Sequence, residues 1–210
     1  PKMEQGLSKI LNNIDQHKKL YIDQSEHIQN KEHEEGHDHL NNNYHVWLDI
    51  KKMQQFSANV AKKLIALDPA NKSAYLDNLT KLNNQLNNLK TNINKVLQPY
   101  QGVNVAAYSN ALEYFIHSNG LSQSISITSK HEQRLSIFKT IQAKQSIKDQ
   151  QIKCLVSTSD VAKKRIDVLT EGLDLKTTSI DVIGHNINPG MNHYTMLMTH
   201  IANKVVTCLQ

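Results

Sequence analysis

Between His27 and Asp49 the chain reads HIQNKEHEEGHDHLNNNYHVWLD, with five histidines (His27, His33, His37, His39 and His45) and four acids among them (Glu32, Glu34, Glu35 and Asp38). Imidazole and carboxylate without thiolate suit borderline divalent ions, zinc above all, with nickel and copper also served. The acids raise the local cation concentration, and Gly36 with the asparagine run Asn41-Asn42-Asn43 is expected to keep the tract mobile. A purely solvated loop has no need of so many groups that are mostly neutral at pH 7. The segment points to metal handling.

His45 stands apart from the tract, in the compact apolar setting Tyr44-His45-Val46-Trp47-Leu48. A histidine beside apolar residues is commonly a satisfied structural group, but the adjoining tract raises the ligand reading. Asp181 ends a β-prone run, Ser179-Ile180-Asp181, ahead of Val182-Ile183-Gly184-His185. A carboxylate at the end of a buried strand either caps the next segment or binds something, because burial alone is costly. His185 reads first as a surface loop histidine, and its closeness to Asp181 makes it an outside candidate for a replacement ligand. His117, His131, His193 and His200 lack partners in the pattern and read as structural. There is no GxSxG, HExxH or phosphate-cradling glycine loop. Ser109 occupies a strand-to-helix turn but nothing marks a base for it, so the chain does not read as an enzyme.

The elements that must position these groups come from 210 residues, 39% hydrophobic and 20% charged, which is globular composition with enough chain for a core. No run approaches the length of a transmembrane helix, and PKMEQGLSKIL shows no secretory signal, as a mature or truncated chain would not. The net charge of +5 is carried by scattered lysines, with only Arg134 and Arg165 and 5% aromatics. That is a solvated surface rather than a nucleic-acid footprint. Cys154 and Cys208, with no CxxC, are either buried thiols or one disulfide of an oxidising compartment.

Apolar spacing predicts a helix from Asp49 to about Leu67, with Met53, Phe56, Val60, Leu64 and Leu67 on one stripe. Asp68-Pro69 marks a stop and a restart, with aspartate as the cap and proline at the first helical position. The longest helix should then run over about 69–98, its leucines lying on a domain rather than in a coiled coil. Beyond Pro99 and Gly102, β-prone runs at Val103–Tyr108, Ser124–Ile127, Cys154–Thr158 and Thr178–Ile183 alternate with helical patterns at Ala111–His117, Gln133–Gln145, Asp160–Glu171 and Asn192–Cys208. The first residues, to about 23, read as a short helix and a strand-like piece, LYID. The alternation predicts an α/β fold, a parallel sheet covered by helices, with ligands at the carboxyl ends of the strands near Ser109, Thr158 and Asp181.

These residues together resemble the metal-binding solute-binding proteins of bacterial ABC importers, in the zinc-uptake (ZnuA-like) branch. That family places a His-acid-rich loop before a His-(Leu/Val)-Trp-Leu motif, matched by His45-Val46-Trp47-Leu48. Its Leu-Asp-Pro-Leu-Gly motif is matched by Ile180-Asp181-Val182-Ile183-Gly184, and its Gly-Pro-x-Met-Glu strand end by Pro1-Lys2-Met3-Glu4. The resemblance implies metal ligation by His45 and Asp181, an accessory metal role for His27, His33, His37 and His39, and a disulfide between Cys154 and Cys208. It also implies zinc as ligand rather than catalytic cofactor, a periplasmic location, a membrane permease as partner, and a monomer. The organisation it implies is a remnant of a first lobe over 1–26, the His/acid loop over 27–43, an interlobe segment with the connecting helix over 44–98, and a C-terminal α/β lobe over 99–210. Most of the first lobe, with a further ligand histidine, would lie upstream of residue 1.

The departures bear on the same site. The family's Phe-His-Asp-Ala-Tyr falls on Tyr108-Ser109-Asn110-Ala111-Leu112, so serine replaces a ligand histidine. Its Ala-Glu-Pro-Gln falls on Ser157-Thr158-Ser159-Asp160, which removes an acid, and Ile50 and Val182 replace prolines. Tight zinc sites use three or four protein ligands, and only His45 and Asp181 remain at inherited positions. Either further ligands come from the missing lobe, a tract histidine or His185, or the site has decayed and the protein acts as a weak zinc buffer or non-transport scaffold.

Overall fold

A computed structural model describes residues 8–20, 43–128 and 135–210. The strand-like LYID and the histidines His27, His33, His37, His39 and His131 lie outside the described residues, whereas the short first helix is present as α1 (Ser8–Asn12).

Helix α2 (Ile50–Leu67) starts where Asp49 accepts hydrogen bonds from the backbone N–H groups of Lys51 (2.8 Å) and Lys52 (3.3 Å). The helix stops at Asp68-Pro69, as read from sequence, but the restart is different. A 3-10 turn, Pro69–Asn71, intervenes, and α3 runs over Lys72–Leu97 with Asn71 at its cap position. The Asp68 carboxylate makes no backbone cap; it accepts instead from Asn71 Nδ2 (2.7 Å) and Tyr75 Oη (2.9 Å). In α3, Leu86, Leu89, Ile93 and Leu97 are buried in the main core, while Leu76 and Leu82 of its first half remain exposed beside α2. The long helix therefore lies on the domain through its C-terminal half.

The sheet comprises β1 (Asn104–Ser109), β2 (Ser122–Thr128), β3 (Cys154–Thr158) and β4 (Lys176–Ile180), parallel throughout, in the order β2-β1-β3-β4. Alternation along the strands divides the core. Val105, Ala107, Cys154 and Val156 point to one face, under α3, α4 (Glu113–Ser118) and α7 (His193–Leu209). Ala106, Tyr108 and Leu155 point to the other, under α5 (Ile137–Asp149) and α6 (Lys163–Thr170). Right-handed crossovers explain the split: α4 leads outward from β1 to β2, and α5 and α6 lead the other way to β3 and β4. The strand order reverses between β1 and β3, and the carboxyl ends there are where such sheets bind ligands.

Two boundaries differ informatively from the sequence pattern. β4 ends at Ile180 rather than Ile183, because Asp181 turns the chain through its side chain. α5 runs over Ile137–Asp149 rather than 133–145, set by the Ser136 side chain accepting from Lys139 N–H. The apolar pattern misleads there because Ile137, Phe138 and Ile141 are exposed.

Cys154 and Cys208 form a disulfide, joining the start of β3 to the end of α7 across a separation of 54 residues. Closing a loop of that length constrains the unfolded chain by about 4 kcal/mol in the chain-entropy model. The double variant Cys154→Ser/Cys208→Ser should therefore unfold at lower urea, with a loss of roughly 2–4 kcal/mol. Tyr108 offers the opposite case: its ring is fully buried and its hydroxyl has no hydrogen-bond partner among the described residues. Tyr108→Phe should raise stability by about 1 kcal/mol, measured in the same denaturation series.

Candidate metal centre

His45 precedes a 3-10 turn, Val46–Leu48, whose Val46 and Leu48 are buried in the main core and fix where the imidazole emerges. The histidine itself is 8% exposed. Its Nδ1 lies 2.8 Å from Asn43 Oδ1, which also accepts from the His45 backbone N–H at 3.0 Å. The Asn43 amide donates in turn to Asn110 O (2.6 Å) and Glu113 Oε2 (3.0 Å). Asn110 and Glu113 sit just past the end of β1, so this network anchors His45 to the carboxyl edge of the sheet.

Asp181 reaches that edge from β4. Its Oδ1 accepts from the N–H groups of Ile183 (3.1 Å) and Gly184 (2.9 Å), closing a tight turn. Gly184 has φ +77°, and a Cβ there would come within 2.7 Å of His193 Nε2. The His193 ring braces the same turn, with Nε2 3.3 Å from Ile183 O and Nδ1 3.4 Å from Asn188 O. The capping reading of Asp181 is met by one of its two oxygens. Oδ1 shapes the turn, while Oδ2 is buried with no hydrogen-bond partner among the described residues. Burial pushes the Asp181 carboxyl up, but the N–H groups of Ile183, Gly184, His185 and Asn186 outweigh this and hold it below the ordinary carboxylate value. It is poised as a carboxylate.

The two segments are tied together by Trp47. Its indole Nε1 donates to Val182 O (2.9 Å), and its own carbonyl accepts from Tyr194 Oη (2.8 Å) on α7. Burial, with a contribution from the Asp49 carboxylate, pushes the Tyr194 phenol well up, so the hydroxyl remains a donor. The tryptophan ring also lies 5.1 Å, centroid to centroid, from the His45 imidazole.

Ser109 and Thr158 end β1 and β3 at the same edge, both buried, and strand alternation gives them the face that carries Val46 and Leu48. His185 is exposed, 73% for its side chain, with Nδ1 3.7 Å from Asp181 Oδ1. Among the described residues no three His, Cys, Asp or Glu side chains converge on a point that could hold an ion. Sequence reasoning missed Asn43, Glu113 and Tyr194. An asparagine two residues before a histidine signals a local side-chain turn, but its link to Glu113 spans 70 residues and has no sequence signature.

Comparison with known proteins settles the lineage. Residues 1–208 match the family described as "Zinc-uptake complex component A periplasmic". The chain belongs to that family. It is 26% identical over 165 residues to the high-affinity zinc uptake system protein ZnuA of Brucella abortus, covering 79% of this chain and 49% of that protein. For the protein of the same name from Haemophilus influenzae, identity is 24% over 173 residues, covering 82% and 51%. The chain spans about half the length of these curated relatives. Among solved structures, the solute-binding protein FpvC of Pseudomonas aeruginosa, in complex with Mn2+, aligns with a TM-score of 0.69 at 21% identity, over 79% of this chain and 62% of that one. A crystal structure of ZnuA aligns at 0.67 and 19% identity, over 79% and 60%. These likenesses bear out the α/β reading of a parallel sheet flanked by helices, as in the C-terminal lobe of such receptors.

A carboxyl whose folded pKa lies below its unfolded value of about 3.9 stabilises the fold above that value and loses the contribution as pH falls through the folded pKa. Asp181 is such a group. Urea midpoints should fall on acidification below about pH 4 more steeply for the natural chain than for Asp181→Asn, where this proton linkage is removed.

Proposed function

We propose that the chain binds a divalent cation, zinc in first place, in a periplasmic receptor that hands the ion to the permease of an ABC importer. The observation that carries this is Asp181 Oδ2, a buried carboxylate oxygen without a hydrogen-bond partner among the described residues, at the sheet edge where His45 is anchored. Leaving such an oxygen unsatisfied is costly, and a cation relieves it directly. His45 and Asp181 are the donors of this chain. His185, a histidine of the tract or a preceding lobe completes the three or four ligands zinc takes. Family membership supports the reading, and the tract from His27 to His39 would gather ions for the cleft. In this organisation residues 1–26 close a first lobe, 27–43 form the gathering loop, 44–98 join the lobes, and 99–210 form the second.

One observation favours a second reading, a weak zinc buffer that no longer transports: Ser109 falls where the resembling motif carries a ligand histidine and Thr158 where its companion motif carries an acid, and no three-donor group forms among the described residues. Calorimetric zinc titration at pH 7.5 separates the two. On the receptor reading, one near-stoichiometric site survives deletion of residues 27–39. In His45→Ala its affinity falls by more than the roughly 10–100-fold that loss of an outer-shell partner costs. Binding should also weaken below about pH 6, as imidazole protonates. Weak, multiple binding that vanishes with the tract would leave only the buffer.

A further inference from the structure

We propose that Asn43 is the positioning residue for His45, holding the imidazole in its Nδ1–H tautomer so that Nε2 carries the lone pair. The inference deepens the metal reading and rests on it for its consequence, while the tautomer itself follows from local chemistry. The amide orientation of Asn43 is fixed from both ends. On one side its nitrogen lies 2.6 Å from Asn110 O and 3.0 Å from Glu113 Oε2, a carbonyl and a carboxylate that accept. On the other side its oxygen lies 3.0 Å from the His45 backbone nitrogen, which only donates. Turning the amide over would oppose acceptor to acceptors and donor to donor. With Oδ1 so fixed, the His45 Nδ1 2.8 Å away must be the donor.

Neutral histidine in water favours the other tautomer, with the proton on Nε2, so the network does work that the imidazole would not do alone. Metal-binding histidines are oriented in this manner by an oxygen acceptor on the second ring nitrogen, which also raises ligand basicity. Here the acceptor belongs to the loop that precedes the histidine, and Glu113 at the start of α4 holds that acceptor in place. The carboxylate thus influences the ligand through the asparagine, and Glu113 is a second positioning group.

The test reads the tautomer before any metal is added. Long-range 1H–15N correlation spectra of the metal-free chain at pH 8 should show a protonated Nδ1 and an unprotonated Nε2 for His45. Asn43→Ala should shift His45 toward the Nε2–H form and weaken zinc binding by roughly 10–100-fold. An Nε2–H tautomer in the natural chain overturns the proposal even if Asn43→Ala does not fold, and so does an unchanged Nδ1–H form in a folded Asn43→Ala. A correct tautomer with no zinc-induced shift at His45 upholds the positioning and overturns the metal reading instead.

Discussion

The indole hydrogen bond from Trp47 to Val182 is the contact on which the site depends. The segment carrying His45 and the turn carrying Asp181 are 136 positions apart in sequence, and neither belongs to a strand. Trp47 spans them directly, and its carbonyl is held by the buried Tyr194 hydroxyl from α7. A tryptophan suits this place because its ring fills a partly buried gap while its one N–H supplies a directed donor. Val46 and Leu48 on either side enter the core, so the brace is continuous with the packing of α3, α7 and the sheet. Disturbing it would let His45 move independently of Asp181, and a two-donor arrangement has little redundancy to absorb that.

At Asp181 opposing electrostatic effects meet. Burial disfavours the charged form, and the N–H groups of the following turn favour it and prevail. The glycine at 184 is essential to that geometry twice over, through its positive φ and through the His193 ring packed against it. Ile183 and Gly184 donate to Oδ1, while Oδ2 has no hydrogen-bond partner among the described residues. A purely structural cap would gain nothing from such an arrangement. On the proposed reading, that oxygen is where a cation would sit.

How much of this was readable in advance follows from burial. The central strands β1 and β3 are covered on both faces, so their sequences are continuous apolar runs and their positions are nearly those the pattern gives. At β4 the apolar Val182 and Ile183 extend the pattern past the true end, which is set by a side-chain turn instead. In α5 exposed Ile137, Phe138 and Ile141 imitate a buried face, and only the Ser136 cap reveals the start. The candidate ligands His45 and Asp181 were legible because they sit in motifs with local context. The network behind His45 was not, since Asn43, Asn110 and Glu113 meet only after the fold brings the end of β1 to them.

The donor balance at the sheet edge constrains where the remaining ligands come from. Ser109, Thr158 and Ile180 end successive strands β1, β3 and β4, and Asp181 follows Ile180. One imidazole and one carboxylate, on the proposed reading, leave the site short of the nitrogen donors zinc favours. On the proposed reading, zinc remains the favoured ion only if more imidazole is brought to the edge. His185 is exposed and close to Asp181, and the tract ending at His39 precedes Asn43 by few residues. A histidine from either would replace, from outside the sheet, the imidazole that Ser109 no longer supplies. Of the two, only His185 leaves a cleft that keeps its site when residues 27–39 are removed.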